Sequence, residues 1–128
     1  RYFGKDRVAL IGFTTYTGTV RAAPRWNRES RVYKIRKPES DTYAYRFHQY
    51  VREFGDQFII ILSNKIRSKL KKLLSVNLEK RKIQDDHHQR AIGVIYRPDT
   101  ERISHYIQSN IQDRFDVMIY IDHSTALR

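Results

Sequence analysis

Short runs of apolar residues recur along the chain, and each has the length of a β-strand. Within a run the apolar residues are nearly continuous instead of alternating with polar ones, which is typical of strands covered on both faces. The pattern therefore predicts a central sheet with helices on both sides. The predicted strands are Arg7–Phe13, Gln57–Ser63, Ala91–Tyr96 and Asp116–Asp122.

Between these runs, apolar residues follow the spacing of a helix. The first predicted helix begins at a capping pair, Ser40-Asp41, and ends at Gly55. A second begins near Asn64 and a third near Pro98. Strands and helices in alternation imply right-handed βαβ crossovers, so we predict an α/β fold with a mainly parallel sheet flanked by helices. The apolar stripes of the last two helices are Ile66, Leu70, Leu73 and Leu74, and Ile103, Tyr106, Ile107 and Ile111.

Two stretches give weaker signals. Gly18–Ala23 and Arg31–Arg36 could form extra strands on either side of a turn at residues 24–27, where proline and asparagine favour a turn. Residues 75–90 are polar and charged, which predicts a surface loop or the frayed end of the second helix. Neither stretch divides the chain, so residues 1–128 are predicted to form a single segment of one domain.

The positive charge of the chain is concentrated in one place. The formal net charge is +11 at pH 7, and Lys65–Lys82, with eight basic residues against one acid, accounts for +7. Its first basic residues lie opposite the apolar stripe on a helical wheel, as on a solvated helix. The alternative is a basic module that binds nucleic acid or anionic surfaces. Since no aromatic residue occurs from Asn64 to Arg90, nucleic acid is not the expected partner.

Composition also bears on the cellular location of the protein. The chain has no cysteine, which excludes disulfides, thiolate metal sites and cysteine nucleophiles and suits a cytoplasmic location. The longest apolar run, Phe58–Leu62, is far shorter than the roughly 18–20 residues that a membrane span needs. A membrane is therefore not an expected partner.

Polar residues follow the predicted strands at the edge of the sheet where open α/β folds bind ligands. Thr14, Thr15, Tyr16 and Thr17 come directly after the first predicted strand, and their hydroxyls are candidates for substrate binding. The alternative is a capped turn whose hydroxyls bind the nearby backbone.

A second set of candidates surrounds the third predicted helix. Glu101 and His105 are four positions apart and share a helical face, so the carboxylate could orient or charge the imidazole for acid–base work. Arg97, just before this helix, is a further candidate for substrate binding. The alternatives are an ordinary surface pair for Glu101 and His105 and a structural ion pair for Arg97.

No cofactor, metal ion or catalytic residue is predicted. His87-His88 beside Asp85-Asp86 has the residue types of metal ligands, but neighbouring residues point in different directions and no second histidine cluster has matching spacing. His48 and His123 are single histidines in the sequence. The chain also has no Gly-rich phosphate loop and no Gly-x-Ser-x-Gly motif.

Three stretches resemble the erythromycin esterase family. Val8–Val20 is similar to the strand and loop that follow the catalytic-histidine region of that family, and Arg90–Tyr106 resembles its C-terminal signature. Phe115–Asp122, followed by Ser124–Leu127, is similar to the closing strand and tail. The order and approximate spacing of the stretches also agree, so the resemblance spans nearly the whole chain.

The resemblance implies the C-terminal part of a larger α/β hydrolase that opens ester or lactone bonds. Macrolide lactones are the best-known substrates of the family, which suggests a role in antibiotic resistance. The catalytic histidine and its supporting glutamate would lie upstream of this chain, so the chain is expected to supply scaffold and pocket wall and to be inactive alone. Its expected partners are a small ester or lactone substrate and the upstream part of its own domain.

Overall fold

A computed structural model describes residue 4 and residues 7–74 and 87–127. The strands in these residues are β1 Ile11–Ala22, β2 Arg31–Ile35, β3 Gln57–Ile61, β4 His87–Arg90, β5 Tyr106–Ser109 and β6 Val117–Ser124. The helices are α1 Tyr43–His48, α2 Val51–Phe54, α3 Asn64–Leu74, α4 Glu101–Ser104 and α5 Ile111–Arg114, and a 3-10 turn at Pro98–Thr100 precedes α4.

The larger sheet has four strands in the order β2-β1-β6-β3. Only β1 and β6 are parallel to each other; β2 pairs with β1 and β3 pairs with β6 in antiparallel fashion. The predicted α/β class is confirmed as a mixed sheet with flanking helices, but the prediction of a mainly parallel sheet is wrong. The connection from β1 to β2 is too short for a helical crossover, so the chain can return only as a hairpin.

Strand β1 differs most from its prediction, because it begins at Ile11 and continues to Ala22. The threonine-rich segment therefore lies inside the strand and not in a loop after it. Threonine and tyrosine suit a pleated, half-buried surface, so the polarity of this segment does not end the strand. Gly18 is required here: its φ is 138°, and a Cβ atom would meet the Ser124 carbonyl oxygen at 1.9 Å. The second half of β1 pairs with β2, which confirms the extra strands.

Residues 91–115 form neither the strand nor the long helix predicted for them. Ala91–Tyr96 is not a strand; it makes one isolated bridge, between Ile95 and Ala23. The predicted third helix ends at Ser104, and Tyr106–Ser109 instead pairs with β4 in a separate antiparallel ladder. Ile103, assigned to the apolar stripe, is 87% exposed. Some apolar residues in this region are buried and others are exposed. Helical spacing of apolar residues alone does not show which of them are buried.

The helices before and after β3 follow the predictions more closely. Thr42, not Ser40 or Asp41, is the cap, since its hydroxyl accepts a hydrogen bond from the amide of Tyr45. The predicted first helix is divided into α1 and α2, and it ends at Gly55 as expected, with a φ of 87°. Helix α3 is confirmed, although Leu73 of its stripe is 79% exposed. Of the predicted loop at residues 75–90, residues 75–86 lie outside the described residues, and residues 87–90 form β4.

The main core lies between α1 and one face of the sheet. Its buried members are Tyr43, Phe47, Leu62, Ile111, Met118 and Tyr120. The opposite face carries Phe13 and Ile59, which both lie beside Ile119 in the sheet register. Each of the two side chains is 65% exposed. The described residues thus leave apolar side chains uncovered on this face, contrary to the prediction of helices on both sides.

Candidate functional site

The hydroxyl residues of β1 are divided between the two faces of the sheet. Successive side chains of a strand point in opposite directions, so Thr14 and Tyr16 lie on the face of α1, and Thr15 and Thr17 lie on the other. Thr14 is buried. The Thr17 hydroxyl lies 3.1 Å from Nδ1 of His123. The four residues predicted to bind substrate therefore do not line one common surface.

Arg97, Glu101 and His105 come together in the connection between β4 and β5. The backbone amide of Arg97 donates a hydrogen bond to Nε2 of His105 at 3.1 Å. Glu101 and His105 are both buried, and the amide of His105 donates to the Glu101 carbonyl oxygen at 2.9 Å. The hydrogen bonds of the two side chains, however, go to different partners.

The carboxylate of Glu101 belongs to a buried group that we call the Arg90 cluster: Arg90, Tyr96, Glu101 and Tyr106. Glu101 Oε1 lies 2.9 Å from Nε of Arg90, and the Tyr96 hydroxyl donates to Oε2 at 2.5 Å. The Arg90 and Glu101 side chains are 4% and 3% exposed. Arg90 also donates to the Tyr106 hydroxyl at 2.9 Å. The cluster is therefore a closed ion pair with hydrogen bonds on both partners.

Arg90 also connects this cluster to the large sheet. Its guanidinium donates to the carbonyl oxygen of Arg36 at 2.6 Å and to that of Thr15 at 3.4 Å. Sequence reasoning missed Arg90, because a single arginine at the end of a charged stretch gives no sign of burial. Burial, followed by the hydrogen bond to Glu101, raises the pKa of Tyr96 above its usual range.

A cavity of about 280 Å³ lies beside Tyr96 and Arg97. Arg31, Tyr33 and Asp99 also contribute to its wall. Nε of Arg97 donates to the carbonyl oxygen of Pro24 at 3.2 Å, and Nε of Arg31 donates to the Tyr33 hydroxyl at 2.7 Å. Two guanidinium groups and two tyrosine rings thus surround a space close to the lower size of small-molecule pockets.

A second group, which we call the Asp122 cluster, lies near the end of the parallel pairing between β1 and β6: Tyr16, His48, Tyr120 and Asp122. Nδ1 of His48 lies 2.5 Å from Oδ1 of Asp122. The Tyr120 hydroxyl donates to the same oxygen at 2.5 Å. The rings of Tyr16 and His48 are stacked, with centroids 3.8 Å apart and planes inclined by 2°.

The Asp122 cluster is half open to solvent. The side chains of His48 and Asp122 are 39% and 22% exposed, whereas Tyr120 is buried in the main core. Burial, followed by the hydrogen bond to Asp122, raises the pKa of Tyr120 above its usual range. Sequence reasoning missed this site, because His48 and Asp122 are 74 positions apart. The alternation of β6, which places Asp122 on the same face as Tyr120, was the one available signal.

Other polar groups in the described part of the chain do not form a metal site. No three histidine, aspartate or glutamate side chains among the described residues are arranged to hold an ion. His88 instead lies 3.0 Å from Asp41, and Asp85 and Asp86 lie outside the described residues. Within the same residues, no helix is long and apolar enough to cross a membrane.

Comparison with known proteins gives a family match and a similar fold. The family model described as erythromycin esterase, a hydrolase family by that description, matches residues 1–124. The chain therefore belongs to the erythromycin esterase family. It also resembles a crystal structure of a Bacillus cereus protein, with 22% identity and a TM-score of 0.64. The match covers 97% of this chain and 26% of the Bacillus chain, so this chain spans about a quarter of that protein's length and shares its fold.

Proposed function

We propose that the chain is the C-terminal part of a hydrolase that opens ester or lactone bonds, and that it contributes scaffold and part of the wall of the substrate pocket. The observation that carries this proposal is the family match over residues 1–124. A hydrolase of this family that acts on macrolide lactones would confer antibiotic resistance. The water-activating histidine implied by the family resemblance would come from the rest of the domain.

The uncovered face of the large sheet supports a role as part of a larger domain. Ile11, Phe13 and Ile59 are 53%, 65% and 65% exposed. Ile11 and Phe13 lie on β1 and Ile59 lies on β3, with Ile119 of β6 between Phe13 and Ile59. Contiguous exposed apolar side chains of this kind mark surfaces that other protein covers. We propose the upstream part of the same domain as the covering partner, since the Bacillus chain with this fold is about four times as long.

The cavity at Arg97 supports a contribution to the pocket wall. Arg97 and Arg31 can bind carbonyl or carboxylate oxygens in a part of the substrate remote from the reacting ester bond, because guanidinium groups donate in a fork that matches two oxygens. Tyr33 offers apolar ring surface beside them, and the fully buried Tyr96 packs against the Tyr33 ring. Of the residues predicted to bind substrate, Arg97 is the one that borders this cavity; Glu101 and His105 support it from behind.

The proposal is tested by assaying the full-length protein that carries this chain against a panel of simple esters and macrolide lactones. We expect hydrolysis of at least one class, and no turnover by residues 1–128 alone. Arg97→Ala should raise KM more than it lowers kcat, with Arg25→Ala as a control on the same surface. A folded full-length protein that leaves every ester and lactone intact would contradict the proposal.

The alternative of a basic binding module receives no specific support. Lys69, Lys71 and Lys72 are exposed on α3, as a solvated helix requires. Arg67 is turned back toward the sheet, where its guanidinium donates to the carbonyl oxygen of Ile61 at 2.5 Å. The rest of the basic stretch, up to Lys82, lies outside the described residues. The geometry of α3 therefore favours the solvated helix.

A further inference from the structure

We propose that His48 and Asp122 form a proton-transfer dyad, in which His48 protonates the departing alcohol oxygen of an ester or lactone. This inference rests on the proposed hydrolase function and adds to it a chemical group from this chain. It is motivated by the Asp122 cluster. The contacts of His48, the charges around Asp122 and the position of the pair in the sheet all differ from those of an ordinary surface ion pair.

Two contacts fix the ring of His48. The carboxylate of Asp122 holds Nδ1 at 2.5 Å, and the stacked ring of Tyr16 fixes the plane of the imidazole. Because Nδ1 is engaged, Nε2 is the nitrogen left to meet a ligand. A carboxylate that holds one ring nitrogen in this way sets the tautomer and stabilises a positive charge on the imidazole.

Within the part of the chain that the structure describes, the carboxylate of Asp122 has no arginine or lysine partner. Its other side-chain partner in the described structure is the neutral hydroxyl of Tyr120. The titratable groups that face the pair are Tyr16 on β1 and Tyr120 on β6, and the charge of Asp56, just before β3, also acts on Tyr120. Among the described residues, the groups that face the pair are therefore neutral or negative.

The pair formed by His88 and Asp41 shows the difference. Nδ1 of His88 lies 3.0 Å from Asp41, but Asp41 also pairs with the guanidinium of Arg102. That permanent cation already neutralises the carboxylate and lowers the pKa of Asp41, against the effect of its burial. His88 and Asp41 therefore provide a matched control: the same residue types without the same electrostatic support.

The position of the dyad suits a ligand site. Asp122 lies near the carboxyl end of β6, and Tyr16 lies beside it on β1, two positions before the parallel pairing of these strands ends at Gly18 and Ser124. Ligands of open α/β sheets gather beyond the carboxyl ends of parallel strands. His48 is 39% exposed, so its ring is accessible, while the buried Tyr120 anchors Asp122 from below.

Water adds to the acyl carbon and loses a proton to a base in the rest of the domain. As the bond between the acyl carbon and the alcohol oxygen breaks, its electron pair goes to that oxygen, which takes a proton from Nε2 of His48. His48 becomes neutral, with its Nδ1 proton still donated to Asp122, and it is reprotonated from solvent. The products are one acid and one alcohol.

The test is the pH dependence of ester hydrolysis by the full-length protein. Removing a general acid by His48→Ala should lower kcat roughly 10²–10⁴-fold, and added imidazole should restore part of the rate. Asp122→Asn removes the charge that stabilises the imidazolium, so the alkaline limb of the pH–rate profile should move to lower pH. His88→Gln, the control, should change neither the rate nor the profile.

The outcomes separate the two proposals. If the wild-type protein hydrolyses esters and His48→Ala retains its rate, the dyad is refuted and the hydrolase function stands. If the folded wild-type protein hydrolyses no ester or lactone, both fail. If His48→Ala does not fold, Asp122→Asn decides: an active variant with an unmoved alkaline limb would overturn the role of the dyad.

Discussion

In both the Arg90 cluster and the Asp122 cluster, a tyrosine hydroxyl donates a hydrogen bond to a carboxylate at 2.5 Å. The two clusters differ in the basic side chain that pairs with the carboxylate. Glu101 faces a permanent cation, Arg90, and both side chains are almost fully buried. Asp122 faces a histidine, and both of those side chains are partly exposed. One carboxylate therefore pairs with a guanidinium, and the other pairs with an imidazole.

This difference separates a structural role from a chemical one. Guanidinium stays protonated at any pH at which proteins fold, so the Arg90 cluster holds the connection between β4 and β5 against the sheet and cannot transfer protons. An imidazole changes charge near neutral pH, and solvent or a ligand can reach His48. A hydrogen bond between a carboxylate and a tyrosine therefore does not by itself indicate a chemical role. The basic side chain that pairs with the carboxylate, and its exposure to solvent, distinguish the two roles.

The largest effect should come from truncating the buried carboxylate. Glu101→Ala leaves the Arg90 guanidinium buried without its counter-charge, which typically destabilises a protein by about 3–5 kcal/mol. The free energy of unfolding in urea, measured on the full-length protein, tests this. Arg102→Ala removes a partly exposed ion pair on the same connection and should destabilise the protein less, because solvent screens that pair. Equal losses for the two variants would show that the Arg90 cluster does not hold the fold.

A smaller, graded effect should distinguish the two tyrosines. Tyr96→Phe removes a hydrogen bond to a buried carboxylate and should destabilise by about 1.5–3 kcal/mol. Tyr120→Phe should have a smaller effect, because Asp122 keeps His48 and partial contact with solvent. Urea unfolding at neutral pH measures the difference, and a larger loss for Tyr120→Phe would reverse the comparison.

The same tyrosines should make stability depend on alkaline pH. Burial and the neighbouring carboxylates raise the folded-state pKa of Tyr96 and Tyr120 above the usual value of 10.0. Their stabilising contribution is therefore fully present below about pH 10 and is lost as the pH rises from there toward the folded-state pKa. In urea unfolding between pH 9 and pH 11, each phenylalanine variant should lose less stability than the wild type; an unchanged slope would count against these pKa shifts.

Much of the fold follows from the sequence where local and tertiary preferences agree. The apolar runs of β3 and β6, the helix α3 and the stop at Gly55 are all visible in the pattern. The pattern fails in 91–115, because Tyr106 and Ile107 fit a helical stripe but pair with β4 in a ladder. The antiparallel direction of β3 against β6 was also inaccessible, since these two strands are far apart in the sequence.

The candidate sites were harder to predict because both depend on long-range partners. The Glu101 and His105 pattern located the right connection but not the partner, Arg90, which lies 11 positions before Glu101. His48 and Asp122 meet only because α1 packs against the face of β6 that carries Tyr120. The alternation of β6 indicates that Asp122 and Tyr120 share a face, but a single sequence contains no signal that brings His48 to them.

The smallest effect on stability should come from the dyad itself, and it gives the sharpest test of the comparison. His48→Gln keeps a polar side chain at a position that is 39% exposed, so the free energy of unfolding at neutral pH should change by less than about 1 kcal/mol. A residue retained for chemistry can be removed with little effect on the fold, whereas a residue that holds the fold cannot. If His48→Gln destabilised the protein as much as Glu101→Ala, the Asp122 cluster would be a second structural clamp, and the contrast between the two clusters would disappear.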